Sequence, residues 1–90
     1  MSLRQRLDKW LWFARLTRSR SLAARLITEG HVRLNARRVL APAKPVKPGD
    51  VLTIALEHHV RVLKVLAAGT RRGSFTEASL LFEDLGQPSG

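Results

Sequence analysis

The stretch RLDKWLWFARLTRSRSLAARLITEGHVRLN, residues 6–35, is the most informative part of the chain because its hydrophobic period changes within it. In its first third the apolar residues lie three and four positions apart, at Leu7, Trp10, Leu11 and Ala14. That spacing predicts an amphipathic helix with one buried face. From His31 the period becomes two, which indicates a strand. Helices followed by strands predict an α+β domain.

A second helix is predicted after the polar link Thr17-Arg18-Ser19. Ser19 suits the N-cap, because a serine oxygen accepts hydrogen bonds from the free backbone N–H groups of a first turn. We expect the helix to run from Arg20 to about Glu29, with Gly30 ending it in a left-handed conformation. Its predicted apolar face consists of Leu22, Ala23, Leu26 and Ile27.

A β-hairpin is predicted next, with Asn35-Ala36 as a two-residue turn. Asparagine tolerates the positive φ that such turns require, whereas alanine is less suited to it than glycine. Val32 and Leu34 are expected to face the core. The return strand is predicted to run from Arg37 to Leu40.

This turn would place Arg33 directly opposite Arg38, on the exposed face of the hairpin. Like charges opposed across a strand pair destabilise it, by about 0.2–1 kcal/mol relative to a neutral pair. A phosphate bound between the two guanidinium groups would turn that repulsion into a clamp. We therefore predict a phosphate site at this hairpin.

The remaining chain is predicted to add two strands, Val51 to Leu56 and Val60 to Leu66, after an irregular proline-rich segment over residues 41–50. These strands and the hairpin would form one small antiparallel sheet on which the two helices pack. Ninety residues suffice for one domain and not for two with separate cores. We expect a single domain over residues 1–86 and a frayed tail over residues 87–90.

A short C-terminal helix is predicted from a capping-box pattern, Ser74 followed by Glu77. We expect it to run from about Phe75 to Leu85 and to bury Ala78, Leu81 and Phe82. Asp84 is poorly placed for this assignment, because an anion near a helix C-terminus opposes the helix dipole.

Positive charge is concentrated in the N-terminal part of the chain. Sixteen Lys and Arg oppose seven Asp and Glu, and residues 1–40 carry ten of the basic residues and two of the acidic ones. Twelve of the sixteen cations are arginine, which pairs with phosphate through a planar fork of donors. We interpret this asymmetry as the surface that binds a polyanion. The alternative interpretation is a basic surface that serves only solubility.

Several classes of function lack their sequence signatures. The chain has no cysteine, which excludes disulfides and thiolate chemistry and is typical of a reducing cytosol. His58 and His59 are adjacent and would point to opposite faces of a strand, so neither a metal nor another cofactor is expected. The sequence contains no phosphate-binding loop and no nucleophile elbow. It has no secretory core after its N-terminal basic residues and no apolar run long enough to span a membrane. We expect a non-catalytic cytoplasmic protein.

Three segments, RLDKWLWFARL at 6–16, SRSLAARLITEGHVRLN at 19–35 and VKPGDVLTI at 46–54, resemble the RNA-binding domain named after ribosomal protein S-four. The resemblance implies the alpha-L fold, two helices packed on a small sheet, and RNA as the partner. Within that family, KWLW at 9–12 and the later RRGSFTEASLLFEDL most resemble bacterial heat-shock protein fifteen and its short relatives. That similarity implies association with ribosomal RNA and with large ribosomal subunits that still hold a nascent chain on tRNA.

The family's RNA-binding residues can be carried over position by position. They fall at Arg6, Lys9, Arg18, Ser19, Arg20, Arg25, His31, Arg33, Asn35, Arg37 and Arg38. The chain departs from the family in having Asn-Ala where the hairpin turn is usually Asn-Gly. It also lacks the basic C-terminal extension of the longer heat-shock members, a departure that bears on the ribosome-rescue role and not on RNA binding itself.

Two other functions remain open from the sequence. Two helices joined by a short link could form a helix-turn-helix that binds DNA, although arginines at 33, 37 and 38 continue beyond any recognition helix. The chain could also be the separate accessory domain of an RNA-modifying enzyme. We expect a monomer that recognises RNA by shape and phosphate contacts.

Overall fold

Three helices and seven strands make up the described part of the chain, residues 4–86 of a computed structural model. In chain order they are β1 (Gln5–Arg6), α1 (Leu7–Phe13), α2 (Arg20–Thr28), β2 (Val32–Leu34), β3 (Arg37–Arg38), β4 (Pro45–Val46), β5 (Val51–Ala55), β6 (Val60–Val65), α3 (Phe75–Ser79) and β7 (Phe82–Gly86). The expected frayed tail, residues 87–90, lies outside the described residues.

Two antiparallel sheets organise these elements. The larger sheet has the strand order β3-β2-β5-β6-β7, and β1 pairs with β4 in a sheet of two short strands. Both N-terminal helices contribute buried residues to one core that they share with the larger sheet. This confirms the predicted α+β fold of two helices on a small antiparallel sheet.

The predicted stripe of α1 is the centre of the core. Leu7, Trp10 and Leu11 are fully buried, and Ala14 is nearly so. Trp10 satisfies its polar group by donating Nε1–H to the carbonyl oxygen of Ala67 at 2.9 Å. Because a buried indole without an acceptor would be costly, this bond fixes α1 over the end of the sheet.

Helix α2 begins and ends as predicted, but its buried face is narrower. Ser19 Oγ accepts from the backbone N–H of Leu22 at 3.1 Å, and Gly30 has φ +86°. Ala23 and Ile27 are buried, whereas Leu22 is 40% exposed, so its predicted core position was wrong. The helix directs the Ala23–Ile27 row at the core, and Leu22 lies about 100° around the axis from that row.

The hairpin has the predicted register. Arg33 lies opposite Arg38 and Leu34 opposite Arg37, and Asn35 and Ala36 both have positive φ. Strand β3 is shorter than expected, ending at Arg38. The next residue, Val39, still donates its backbone N–H to the Val32 carbonyl oxygen of β2 at 3.0 Å.

The predicted C-terminal helix from Phe75 to Leu85 was wrong beyond its first turn. Helix α3 ends at Ser79, and the chain then forms β7, which hydrogen-bonds to the otherwise open edge of β6. Pairing an open edge satisfies a row of backbone groups that a longer helix would have left free. Asp84 is therefore a strand residue, and its carboxylate lies 2.9 Å from Arg61 Nη2.

Replacing Ala36 by glycine should stabilise the protein. Ala36 holds φ +70°, a conformation that strains a residue with a Cβ and not glycine. We expect Ala36→Gly to raise the free energy of unfolding by about 1 kcal/mol, or the thermal midpoint by about 4–8 °C. Ala24→Gly, the same change inside α2, should instead destabilise by about 0.5–1 kcal/mol. A loss of stability in Ala36→Gly would contradict the positive φ of the turn.

Candidate nucleic-acid interface

The buried carboxylate of Asp8 holds two of the predicted RNA-binding arginines together. Arg6 donates Nε–H and Nη2–H to the two Asp8 oxygens, each at 3.1 Å, and Arg20 Nε lies 3.5 Å from Asp8 Oδ2. The Asp8 side chain is 5% exposed, whereas those of Arg6 and Arg20 are 50% and 43% exposed. One anion thus fixes two cations whose outer surfaces remain open to solvent, and the trio keeps a net positive charge.

The N-terminus of α1 is tied to the proline-rich segment. Leu7 N–H donates to the Lys44 carbonyl oxygen at 2.9 Å, and Asp8 N–H donates to that of Pro42 at 3.1 Å. These two backbone donors are therefore occupied within the protein and unavailable to a phosphate. The same bonds bring Lys44 next to the Asp8 trio, a proximity that the sequence did not predict.

A cationic groove runs between the hairpin and the segment over residues 42–47. Its basic lining residues are Arg4, Arg37, Arg38, Lys44 and Lys47. It consists of two adjoining cavities of about 260 and 510 Å³ that share Leu34, Asn35 and Lys44. Sequence reasoning had identified only the hairpin side. Lys44 and Lys47 in AKPVKPG are the sequence signal for the other side of the groove, and they lie in the segment predicted to be irregular.

Asn35 has a structural role in this groove. Its Oδ1 accepts from the backbone N–H of Val51 at 2.9 Å, and its Nδ2 donates to Asp50 Oδ1 at 3.1 Å. Both ends of the amide therefore anchor the hairpin tip to the start of β5. Asn35 positions the adjacent Arg37 and Arg38 in this arrangement.

Asp50 is the acidic centre of that anchor. Burial of its carboxyl group raises the pKa, but hydrogen bonds from Lys47 Nζ, Asn35 and the Lys47 backbone N–H, together with the Lys47 charge, outweigh this effect. The net result is a pKa of Asp50 below its usual value. The ionised carboxylate is thus the form that the folded state favours.

The opposed arginines of the hairpin have no carboxylate within salt-bridge distance among residues 4–86. The same holds within that part of the chain for Arg18 and Arg37. The side chain of Arg38 lies across Gly30, since a Cβ there would be 3.5 Å from Arg38 Cδ. The Arg33–Arg38 pair therefore stays positively charged, as predicted from the turn.

The remaining predicted residues have other partners in the fold. Arg25 and His31 both approach Glu29, at 3.6 and 3.8 Å, beyond the middle of α2. Lys9 Nζ lies 5.5 Å from the centre of the Phe13 ring. Arg25 and His31 therefore lie beside an acidic side chain, and Lys9 lies over an aromatic ring.

The described residues contain neither a group of three or more potential metal-ligating side chains nor a helix able to cross a membrane. The features that distinguish this surface are its arginines and lysines and the two buried carboxylates that orient several of them.

Acid should destabilise the protein partly through Asp50. Its folded-state pKa is depressed, so its contribution is fully present above the unfolded-state value near 3.9 and is lost as the pH falls through the folded-state value. We expect Asp50→Asn to be less stable than the parent at pH 6 and the difference to shrink below about pH 4. Urea midpoints measured from pH 6 to pH 2.5 test this. A difference that stays constant down to pH 2.5 would show that the Asp50 charge does not stabilise the fold.

Comparison with known proteins identifies the region that contains most of this surface. A family model of the S4 domain matches residues 5–52, which contain α1, α2 and the hairpin. Heat shock protein 15 of Escherichia coli K12 is 39% identical over 79 residues, which cover 88% of this chain and 59% of that protein. The small ribosomal subunit protein uS4 of Geobacillus thermodenitrificans is 35% identical over 81 residues, 90% of this chain and 40% of that protein.

The fold agrees with a solved relative. The structure described as trimeric heat shock protein 15 from Vibrio cholerae superposes with a TM-score of 0.84 at 32% identity, covering 93% of this chain and 82% of that one. The chain spans about three fifths of the length of the curated heat shock relatives it matches. The matched region and the shared fold place this chain in the S4 domain family, with heat shock protein 15 among its relatives.

Proposed function

We propose that this chain binds structured RNA through a surface that combines the Asp8 trio with the cationic groove. The observation that carries the proposal is the groove, which five basic residues from three segments of the chain line. In the hairpin on one side of it, Arg33 lies opposite Arg38. Such an arrangement is stabilised when phosphates enter it, because each charge-assisted contact relieves repulsion between the cations. Membership of the S4 domain family supports RNA as the polyanion.

The start of α2 supplies further donors in this proposal. Ser19 uses its oxygen as an acceptor toward Leu22 N–H, so its own O–H can donate to a phosphate. Arg18 precedes Ser19 and is exposed. Arg20, the first residue of α2, lies at the same end of the helix and also belongs to the Asp8 trio. Backbone N–H groups and arginines at a helix N-terminus suit an anion.

Ribosomal RNA is the target class that we propose. The similar proteins include heat shock protein 15 and a ribosomal protein, which supports a ribosomal partner. The heat-shock resemblance favours the large subunit that retains a nascent chain on tRNA, and a cytoplasmic, non-catalytic role. The Vibrio cholerae relative is described as a trimer, whereas the sequence predicts a monomer here, so light scattering should accompany RNA binding.

DNA binding is the competing candidate for the two helices. In a helix-turn-helix the second helix alone enters the groove. Here the positive charge continues from α2 onto the hairpin and the segment over residues 42–47, a broader surface than one recognition helix. A separate accessory domain of a modifying enzyme would use the same surface, and a catalytic partner recovered by pull-down would support it.

Charge reversal at Arg38 should separate binding from folding. Arg38→Glu can pair with Arg33 across the hairpin, so we expect unchanged or slightly higher stability. We expect RNA affinity to fall at least tenfold. The slope of log K against log salt should be roughly −4 to −7 for the parent, as for about six to eight phosphate contacts, and shallower for the variant. Filter binding of a structured ribosomal RNA fragment at several salt concentrations measures both.

Lys64→Glu is the matched control, because it makes the same change in net charge on β6, two strands from β2. It should weaken RNA binding by about twofold or less, as expected of a remote, screened charge. Equal losses in the two variants would mean that total charge, and not the hairpin surface, determines affinity. Tighter binding of a DNA duplex than of the RNA at fixed salt would favour the competing candidate.

A further inference from the structure

A second set of basic residues accompanies an exposed aromatic ring at the start of α3, and all of them except Arg15 lie outside residues 5–52, which the S4 domain model matches. We define this C-terminal cluster as Arg15, Arg71, Arg72, Phe75 and Glu77. Phe75 is the first residue of α3 and is 78% exposed, whereas Ala78 in the same helix is buried. A single exposed apolar side chain is common on protein surfaces, so the charged groups that accompany this ring are what set it apart.

Arg15 is held against this ring. Its Nη1 donates to the Gly73 carbonyl oxygen at 2.8 Å, and its Cζ lies 5.3 Å from the centre of the Phe75 ring. That distance is within the range of a cation–π contact. The guanidinium therefore backs the ring and leaves most of its surface accessible.

The backbone of Arg15 has a strained, left-handed conformation. Leu16 N–H donates to the Leu11 carbonyl oxygen at 3.0 Å, which is the bond that closes a helix with a left-handed residue. Arg15 is that residue, with φ +59°, a position where glycine is usual. Helix α2 ends by the same pattern with Gly30 at the equivalent place. The chain therefore accepts strain at Arg15, and the side chain offers a reason for it.

The cluster retains excess positive charge. Arg71 pairs with Glu77 at 2.9 Å, which leaves Arg15 and Arg72 without a carboxylate among the described residues. The Nε atoms of Arg15 and Arg72 are buried and lack an acceptor within that same part of the protein. A partner that combines a flat ring with negative charge complements this arrangement better than an apolar peptide does.

We propose that Phe75, backed by Arg15, is a stacking site for an unpaired nucleotide, with Arg71 and Arg72 attracting its phosphates. Base stacking on an aromatic side chain beside arginines is how proteins commonly bind single-stranded segments of RNA. The inference rests on the proposed RNA-binding function and adds a second element to it. The cationic groove holds structured RNA by its phosphates, and the C-terminal cluster captures an adjacent unpaired base.

The test compares two ten-nucleotide probes, single-stranded oligoadenylate and an abasic oligomer with the same number of phosphates. Phe75→Ala should weaken oligoadenylate binding roughly 5- to 100-fold, the range expected for one lost base–aromatic stack. It should leave the salt slope unchanged because no phosphate contact is removed. Phe75→Trp should retain affinity. Parent and Phe75→Ala should bind the abasic oligomer equally.

Leu80→Ala is the matched control, since Leu80 is 70% exposed just beyond the same helix. It should bind both probes as the parent does. Upfield shifts of the Phe75 ring protons on adding oligoadenylate, absent with the abasic oligomer, would report stacking directly.

Three results would overturn the inference: no binding of oligoadenylate by the parent, equal binding by parent and Phe75→Ala, or full affinity in Phe75→Leu. The last result would indicate an apolar contact surface suited to a protein. If the parent also failed to bind a structured ribosomal RNA fragment, the proposed function would fail as well. Retained binding of that fragment would confine the failure to the C-terminal cluster.

Discussion

The ion pairs of the buried Asp8 carboxylate with Arg6 and Arg20 are the interaction on which both the packing of the two helices and the proposed surface depend. The carboxylate contacts Arg6, the residue before α1, and Arg20, the first residue of α2. It therefore joins the starts of the two helices. In a chain with a net charge of +9, guanidinium groups this close would repel one another without an anion between them. Only the Asp8 carboxylate is buried in this trio, so removing either half-exposed arginine would leave a buried charge with fewer partners, which is destabilising.

A second buried acid performs the same task at the other end of the surface. Asp50 draws Lys47 and Asn35 together and thereby fixes the hairpin against the start of β5. Few acids are needed because each one orients several donors while the surface as a whole stays positive. The Arg33–Arg38 pair has no such acid among the described residues, so the like charges opposed across the hairpin remain uncompensated by the protein.

Local patterns predicted the elements whose stability is local, and failed where distant contacts decide. The α1 stripe, the Ser19 cap and the hairpin register follow from spacing and turn chemistry within a few residues. The capping box at Ser74 correctly predicted the start of α3. The chain after α3 pairs with the open edge of β6, and no local sequence signal predicts that edge. Asp8 near Arg20, and Arg4 and Lys44 beside the hairpin, were missed because folding alone brings them together.

The central claim is that the placement of the cations, and not their sum, creates the RNA-binding surface. Asp8→Asn and Glu29→Gln each raise the net charge by one, but Asp8 orients Arg6 and Arg20 whereas Glu29 is an exposed partner of Arg25. The decisive measurement is the RNA affinity of both variants, at a temperature where circular dichroism shows both to be folded. The account predicts that Glu29→Gln binds as tightly as the parent or more tightly and that Asp8→Asn binds at least about fivefold more weakly, a change of about 1 kcal/mol. Equal tightening in both variants would contradict it.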